Sequence, residues 1–193
     1  MRKSDLLKKL SHQFPEHIVE AFRAVPRESF MPEEYGTEAY ADAPQPIGQW
    51  QTISQPSTIA FMLQLLELDA PLDAVLELGS GSGYVLALLS EICPDADIYG
   101  VELDADLVQS SKKNTKRYSH ITIYHRNGKN GLAEHAPYDR ILISASSDEP
   151  PFHLRDQLEA DGVIVAPVQD SILKITQDTV IEYPGFRFVP FKK

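Results

Sequence analysis

The feature that most narrows the possible folds is a glycine-rich turn set between an apolar run and a helical one. Val75, Leu76, Glu77 and Leu78 are followed by Gly79, Ser80, Gly81, Ser82 and Gly83, and Tyr84 opens the next periodic stretch. Glycine at every second position permits positive φ and close backbone approach. A helix starting there leaves amides for a polar or anionic group such as an amino-acid carboxylate. In open α/β sheets such turns lie at the carboxyl ends of strands, where ligands bind.

The flanking pattern agrees. It predicts strand Ala74 to Leu78, helix Tyr84 to Ile92, strand Asp97 to Val101, helix Ala105 to Tyr118, strand Ile121 to Tyr124 and strand Arg140 to Ser144. A helix around Pro151 to Leu158, a turn at Asp161-Gly162 and strand Val163 to Val168 follow. Repeated β-α-β connections mean a parallel sheet with right-handed crossovers. Ser171 to Thr176 and Val180 to Phe191 alternate like paired strands joined through Gln177-Asp178, which adds an antiparallel edge. The expected fold is a doubly wound, Rossmann-like α/β sheet.

Ahead of it, Leu6, Leu7, Leu10 and Phe14 mark the apolar face of an opening helix, and Glu16 to Ala24 reads as a second. Pro26, Pro32, Pro44, Pro46 and Pro56 then force extended, turning backbone, so residues 25 to 55 are expected as one long ordered loop. Such loops are uncommon unless they serve as lids or binding segments. A helix from Ser57 to Leu68 follows, with Ser54 or Gln55 at its cap. The expected organisation is one domain over 1–193, in which residues 1–56 cover a core formed by 57–193.

Composition removes several classes of function. With 193 residues and 42% hydrophobic content the chain can bury one substantial core. Its formal charge of −10 opposes general attraction to a phosphate backbone, so no nucleic-acid partner is expected. The single Cys93 provides neither an internal disulfide nor a multi-cysteine zinc site, and the histidines at 12, 17, 120, 125, 135 and 153 form no metal-binding pair. No apolar run reaches the roughly 18 residues of a membrane span, and a cytoplasmic protein, most simply a monomer, is expected. Lys112, Lys113, Lys116 and Arg117 form a basic helix face, read as a solvated surface or a dock for acidic peptide. Glu149 to Phe152 reads as a loop that starts a helix.

Glu102, with Leu103 beside it, closes the next strand about 20 residues after the glycines, the spacing at which an acid reaches ribose hydroxyls. A dinucleotide fingerprint would read G-x-G-x-x-G. Here the third glycine arrives one residue early and Glu77 precedes the first by two. That favours a nucleoside carrying an amino acid, S-adenosylmethionine.

The run Glu77 to Tyr84 resembles the first motif of class I methyltransferases, and in particular of the protein-L-isoaspartate O-methyltransferase family. Ala24 to Pro32, Ala39-Tyr40, Pro46 to Gly48 and Gln51 to Pro56 are similar to that family's N-terminal signature. Ala136 to Ile141, Asp161-Gly162, Ala166 to Val168 and Arg187 to Pro190 are similar to its later landmarks, so the resemblance spans nearly the whole chain. It implies that Thr52, Ile53 and Ser54 line the junction of cofactor and substrate, with Ser54 the active-site serine. It also implies that Gly79, Ser80, Gly81, Ser82 and Gly83 pass under the methionine part, that Glu102 holds the ribose, and that Asn127 and Gly128 flank the adenine. The implied reaction is methyl transfer from S-adenosylmethionine to the free carboxylate of isoaspartyl residues in damaged proteins or peptides, leaving S-adenosylhomocysteine. Such carboxylates titrate near ~4 and need no strong general base. Ser54 would orient the acceptor; on the residues alone its hydroxyl reads equally as a helix cap.

Two positions depart from the family pattern. Arg126-Asn127-Gly128-Lys129 stands where an acid usually precedes the glycine, leaving Asn127 a neutral carbonyl for the adenine amino group. Gln49-Trp50 stands where an aromatic or histidine is followed by a small residue, so the acceptor is the open point. The chain stops at Lys193, soon after Pro190, and an open cofactor site is expected. The alternatives are a related methyltransferase with another carboxylate or small-molecule acceptor, and a weakly catalytic module that binds S-adenosylmethionine.

Overall fold

The computed structural model describes residues 1–188. Five parallel strands form the centre: β3 (Ala74–Leu78), β4 (Asp97–Glu102), β5 (Ile121–His125), β6 (Tyr138–Ile143) and β7 (Leu158–Val168). β8 (Ser171–Ile175) and β9 (Val180–Pro184) extend the sheet antiparallel, in the order β5-β4-β3-β6-β7-β8-β9. The strand order reverses between β3 and β6, so the carboxyl end of β3 opens on a switch point, the usual ligand position of such sheets.

Alternation within the strands supplies two cores. Val75, Leu142, Val163 and Val165 face one cluster; Leu76, Leu78, Ile141, Ile143 and Ile164 face the other. The first cluster also holds α4 (Tyr84–Ile92) and the N-terminal helices α1 (Lys3–Ser11) and α2 (Glu16–Ala24). Leu6, Leu10, Ile18 and Phe22 therefore share a core with Leu86 and Leu89. Cys93 is buried at the end of α4, where desolvation pushes its thiol up to about 11. Among the described residues no helix is long and apolar enough to cross a membrane.

β3 and α4 have the expected bounds; other elements differ for identifiable reasons. α5 (Ala105–Asn114) stops four residues early, where the Thr115 hydroxyl turns back onto the Ser111 carbonyl at 2.8 Å. Asp161-Gly162 is no turn: it lies within β7, in an irregular stretch where pairing jumps from Tyr138↔Leu158 to Arg140↔Val163. The stretch Phe152–Gln157 is a 3-10 helix and not an α-helix. The buried Gln157 is spent bridging the Asn130 carbonyl and the Leu132 amide, and β7 begins at the next residue. β9 ends at Pro184 because Gly185 takes φ +97° and the amides of Gly185 and Phe186 both donate to the Asp170 carbonyl. The part of the expected last strand beyond residue 188 lies outside the described residues.

The largest difference is in residues 25 to 55. Two 3-10 helices, Arg27–Phe30 and Glu33–Glu38, each follow a proline, and a hairpin of β1 (Gln45–Gly48) and β2 (Gln51–Ile53) leads into α3 (Pro56–Leu65). α3 ends at Leu65 and not Leu68, since Glu67 adopts φ +54°. Its cap position is Gln55, whose side chain makes no cap bond. The first-turn amide of Ser57 donates instead to Asp42 Oδ1 at 2.9 Å, and Asp42 Oδ2 accepts from Lys9 at 2.6 Å. The segment is thus pinned to both α1 and α3, and Ser54 does not cap the helix.

Candidate active site

The turn after β3 is shaped by its own amides. Gly79, Gly81 and Gly83 have φ of +82°, +53° and +84°. The amides of Gly79 and Ser80 donate to the Val101 carbonyl, that of Gly83 to Ser80, and that of Gly81 to Glu102 Oε2 at 2.8 Å. Four amides of the turn itself are therefore already satisfied by the protein, so an anionic ligand group is left to the amides at the start of α4. What the turn offers is a close approach. A Cβ at Gly81 would stand 3.1 Å from Ile47 Cδ1, and one at Gly79 would stand 3.6 Å from Ala145 Cβ.

Glu102 is aimed by three backbone donors. Besides Gly81, the amides of Leu103 and Asp104 donate to its Oε1 at 2.8 and 2.9 Å. The carboxylate is thereby held at the end of β4, with further lone pairs available for hydroxyl donors. Asp104 completes the corner by capping α5, accepting from the amides of Asp106 and Leu107.

Glu77 sits deeper. It is 1% exposed, Ser144 donates to its Oε1 at 2.7 Å, and its Oε2 has no partner. Burial pushes the Glu77 carboxyl up to about 8; the Ser144 hydrogen bond opposes the shift and the nearby Glu102 charge adds to it. The Ser80 hydroxyl is also buried without a partner. Glu77 and Ser80 thus bring two buried polar groups to one wall of the cavity.

The cavity is closed on the other side by the β1-β2 hairpin and the residues after it. Thr52, Ile53 and Ser54 line it, facing Gly79, Ser80, Gly81, Ser82, Glu102 and Leu103. Buried Arg27 holds this lip: its Nη2 donates to the Ser54 carbonyl at 2.8 Å and to that of Ile53 at 3.4 Å. The guanidinium lies 5.2 Å from the ring centroid of Tyr84, which also lines the cavity. Asn127 and Gly128 also line it. Asn127 Oδ1, expected to accept from an adenine amino group, already accepts from the Lys129 amide at 2.9 Å, with a second lone pair remaining.

Every candidate from the sequence lines this cavity except Gly83. A Cβ there would lie 2.5 Å from Ser111 Oγ and 2.9 Å from Thr115 Cγ2, so this glycine lets α5 pack against the start of α4. Sequence reasoning missed Ile47, Tyr84, Asp104 and Ser144. Ser144 follows the last residue of β6, and the rule that ligands gather at strand ends would have found it.

Among the described residues the wall contains three carboxyl groups, Glu77, Glu102 and Asp104, and no lysine, arginine or histidine. A ligand carrying ammonium or sulfonium charge and ribose hydroxyls suits the wall. Among the described residues no group of three His, Cys, Asp or Glu side chains could hold a metal.

Comparison with known proteins agrees with this chemistry. Residues 1–182 match the model of the family described as protein-L-isoaspartate(D-aspartate) O-methyltransferase. The chain is 39% identical over 199 residues to the protein-L-isoaspartate O-methyltransferase of Methanothrix thermoacetophila, covering 98% of this chain and 94% of that one. It is 42% identical over 156 residues to that of Methanococcoides burtonii, covering 79% and 76%. Among solved structures, a beta-aspartate methyltransferase from Plasmodium falciparum in complex with S-adenosyl-L-homocysteine superposes with a TM-score of 0.83 at 27% identity, covering 99% of this chain and 98% of that one. With its glycine turn, its acid-lined cavity and a family match over nearly its whole length, the chain belongs to the protein-L-isoaspartate(D-aspartate) O-methyltransferase family.

Proposed function

We propose that the protein transfers a methyl group from S-adenosylmethionine to the free carboxylate of L-isoaspartyl residues in damaged proteins and peptides, a repair reaction. The observation that carries the reading is one cavity that joins the Glu77 and Glu102 carboxyls directly to the Thr52, Ile53 and Ser54 lip. When bound, the sulfonium supplies an electrophilic methyl group. Glu102 would hold ribose hydroxyls, Glu77 and Ser80 would meet the amino-acid part over Gly79, Gly81 and Ser82, and Leu103, Asn127 and Gly128 would flank the adenine.

The chain's own task is orientation and exclusion of water. Ser54, its backbone fixed by Arg27, presents a hydroxyl to the acceptor carboxylate. Ile53, Met62 and Leu142 supply apolar wall that partly desolvates that carboxylate and so raises its reactivity. The acceptor is already ionised at neutral pH, so no base is required, which accords with a wall lacking histidine. Joining two opposite charges in a neutral product leaves positioning as the main source of rate. In this reading residues 1–193 act as one cytoplasmic monomer, with residues 1–56 covering the site and protein as the macromolecular substrate. The net charge of −10 supports protein over nucleic acid.

Methyl transfer to an isoaspartyl peptide and its aspartyl counterpart tests the proposal. Labelling of the isoaspartyl peptide alone is expected. Equal labelling points to a methyltransferase with another acceptor, and S-adenosylhomocysteine binding without transfer points to a binding module.

A further inference from the structure

The hairpin over the cavity turns at Gln49 and Trp50, with Gly48 paired to Gln51. Both turn residues have positive φ, +53° and +60°. A two-residue turn of this kind normally takes Asn-Gly or Gly-Gly, because a side chain in the left-handed region clashes with its own backbone. Trp50 is a poor choice on local grounds. It also returns nothing to the core, since it is 97% exposed and is the chain's one tryptophan. Backbone strain carried by a residue that folding does not use points to function.

Its position is well defined. Gln49 Nε2 donates to Asp106 Oδ2 at 2.7 Å, tying the hairpin tip to the first turn of α5, just beyond Glu102 and Asp104. On the other side the next residue, Gln51, lines the cavity and leads to Ser54. The hairpin tip thus stands at the cavity rim beside the residues that lead to Ser54, and the exposed indole projects from it. Because the molecule carries a net charge of −10, long-range attraction does not recruit an acidic acceptor. Short-range apolar contact has to do so.

We propose that Trp50 is a specificity-determining residue that stacks on the polypeptide flanking the isoaspartate, favouring acceptors with an aromatic or apolar side chain beside it. The inference rests on the reading of the function given above. An exposed indole offers a large rigid face at low entropic cost and suits an extended chain.

Two isoaspartyl peptides that differ only in a flanking phenylalanine or serine provide the test. The protein is expected to prefer the phenylalanine peptide, and Trp50→Gly, which removes the indole and relaxes the turn, is expected to raise its KM about fivefold. KM for the serine peptide should change little, and affinity for S-adenosylhomocysteine should stay within twofold. An unchanged ratio of the two KM values in the variant would overturn the proposal. Trp50 is also its own reporter: with S-adenosylhomocysteine present, the phenylalanine peptide should shift and enhance its emission. If neither peptide is methylated, the functional reading fails, while the emission titration still decides whether the indole contacts peptide; unaltered emission at saturating peptide sinks the contact.

Discussion

Two turns in this molecule hold several positive-φ positions each, and they fill them in opposite ways. After β3 the positions at Gly79, Gly81 and Gly83 are glycine; between β1 and β2, after Gly48, they are Gln49 and Trp50. The first turn is internally hydrogen-bonded, and at Gly83 a Cβ would collide with Ser111 Oγ at 2.5 Å. The second has open space at its tip, where only backbone strain opposes a side chain. Glycine is therefore demanded in one place by neighbours, and declined in the other for the sake of the side chain.

Several measurements would break or sharpen this contrast, the strongest concerning the buried turn. Glu77 has its carboxyl raised from 4.5 to about 8, so the folded protein keeps a proton that the unfolded chain releases. Its contribution to stability is complete below about pH 4.5 and is lost as pH rises towards 8. Relative to Glu77→Gln, the unliganded wild type should lose on the order of 4 kcal/mol across that window in urea titrations. Parallel pH dependence of the two proteins would refute the buried, protonated carboxyl.

Gly83→Ala should destabilise by about 3 kcal/mol, from the contact with Ser111 and the left-handed backbone together. Gly81→Ala, which meets only the end of Ile47, should cost less stability and more affinity for S-adenosylhomocysteine. Equal losses in both assays would show that the two glycines do the same job. Glu102→Ala should weaken S-adenosylhomocysteine by about 2 kcal/mol in calorimetry, because three backbone donors lose their acceptor and, in the proposed function, so do the ribose hydroxyls. Ser54→Ala should lower turnover about tenfold while changing cofactor affinity less. The smallest effect belongs to the exposed turn: replacing Gln49-Trp50 by Asn-Gly should raise stability by about 1 kcal/mol in thermal melts, a gain that would be absent if the turn were unstrained.

The same contrast explains how much could be read in advance. β3 and α4 were legible to the residue because an apolar run, three glycines and a second apolar run are local signals that tertiary context only reinforces. Glu102 was legible by spacing. The hairpin was not, since its strands are four and three residues long and its turn lacks the glycine or asparagine that marks such turns. Nor was the role of Gly83, whose reason lies across space at Ser111 and Thr115. The helix expected near Pro151 was drawn into 3-10 form by Gln157, whose partners Asn130 and Leu132 are remote in the chain.

By itself the sequence determined the alternating α/β order, the glycine turn after β3 and the acid at the end of β4, because periodicity and glycine spacing act over a few residues. Only the tertiary structure decided which amides remained for a ligand, that Glu77 is buried with an oxygen unpaired, that Arg27 holds the Ser54 lip, and that Trp50 stands on the rim. These properties depend on desolvation and on contacts between distant segments, and neither exists until the chain has folded.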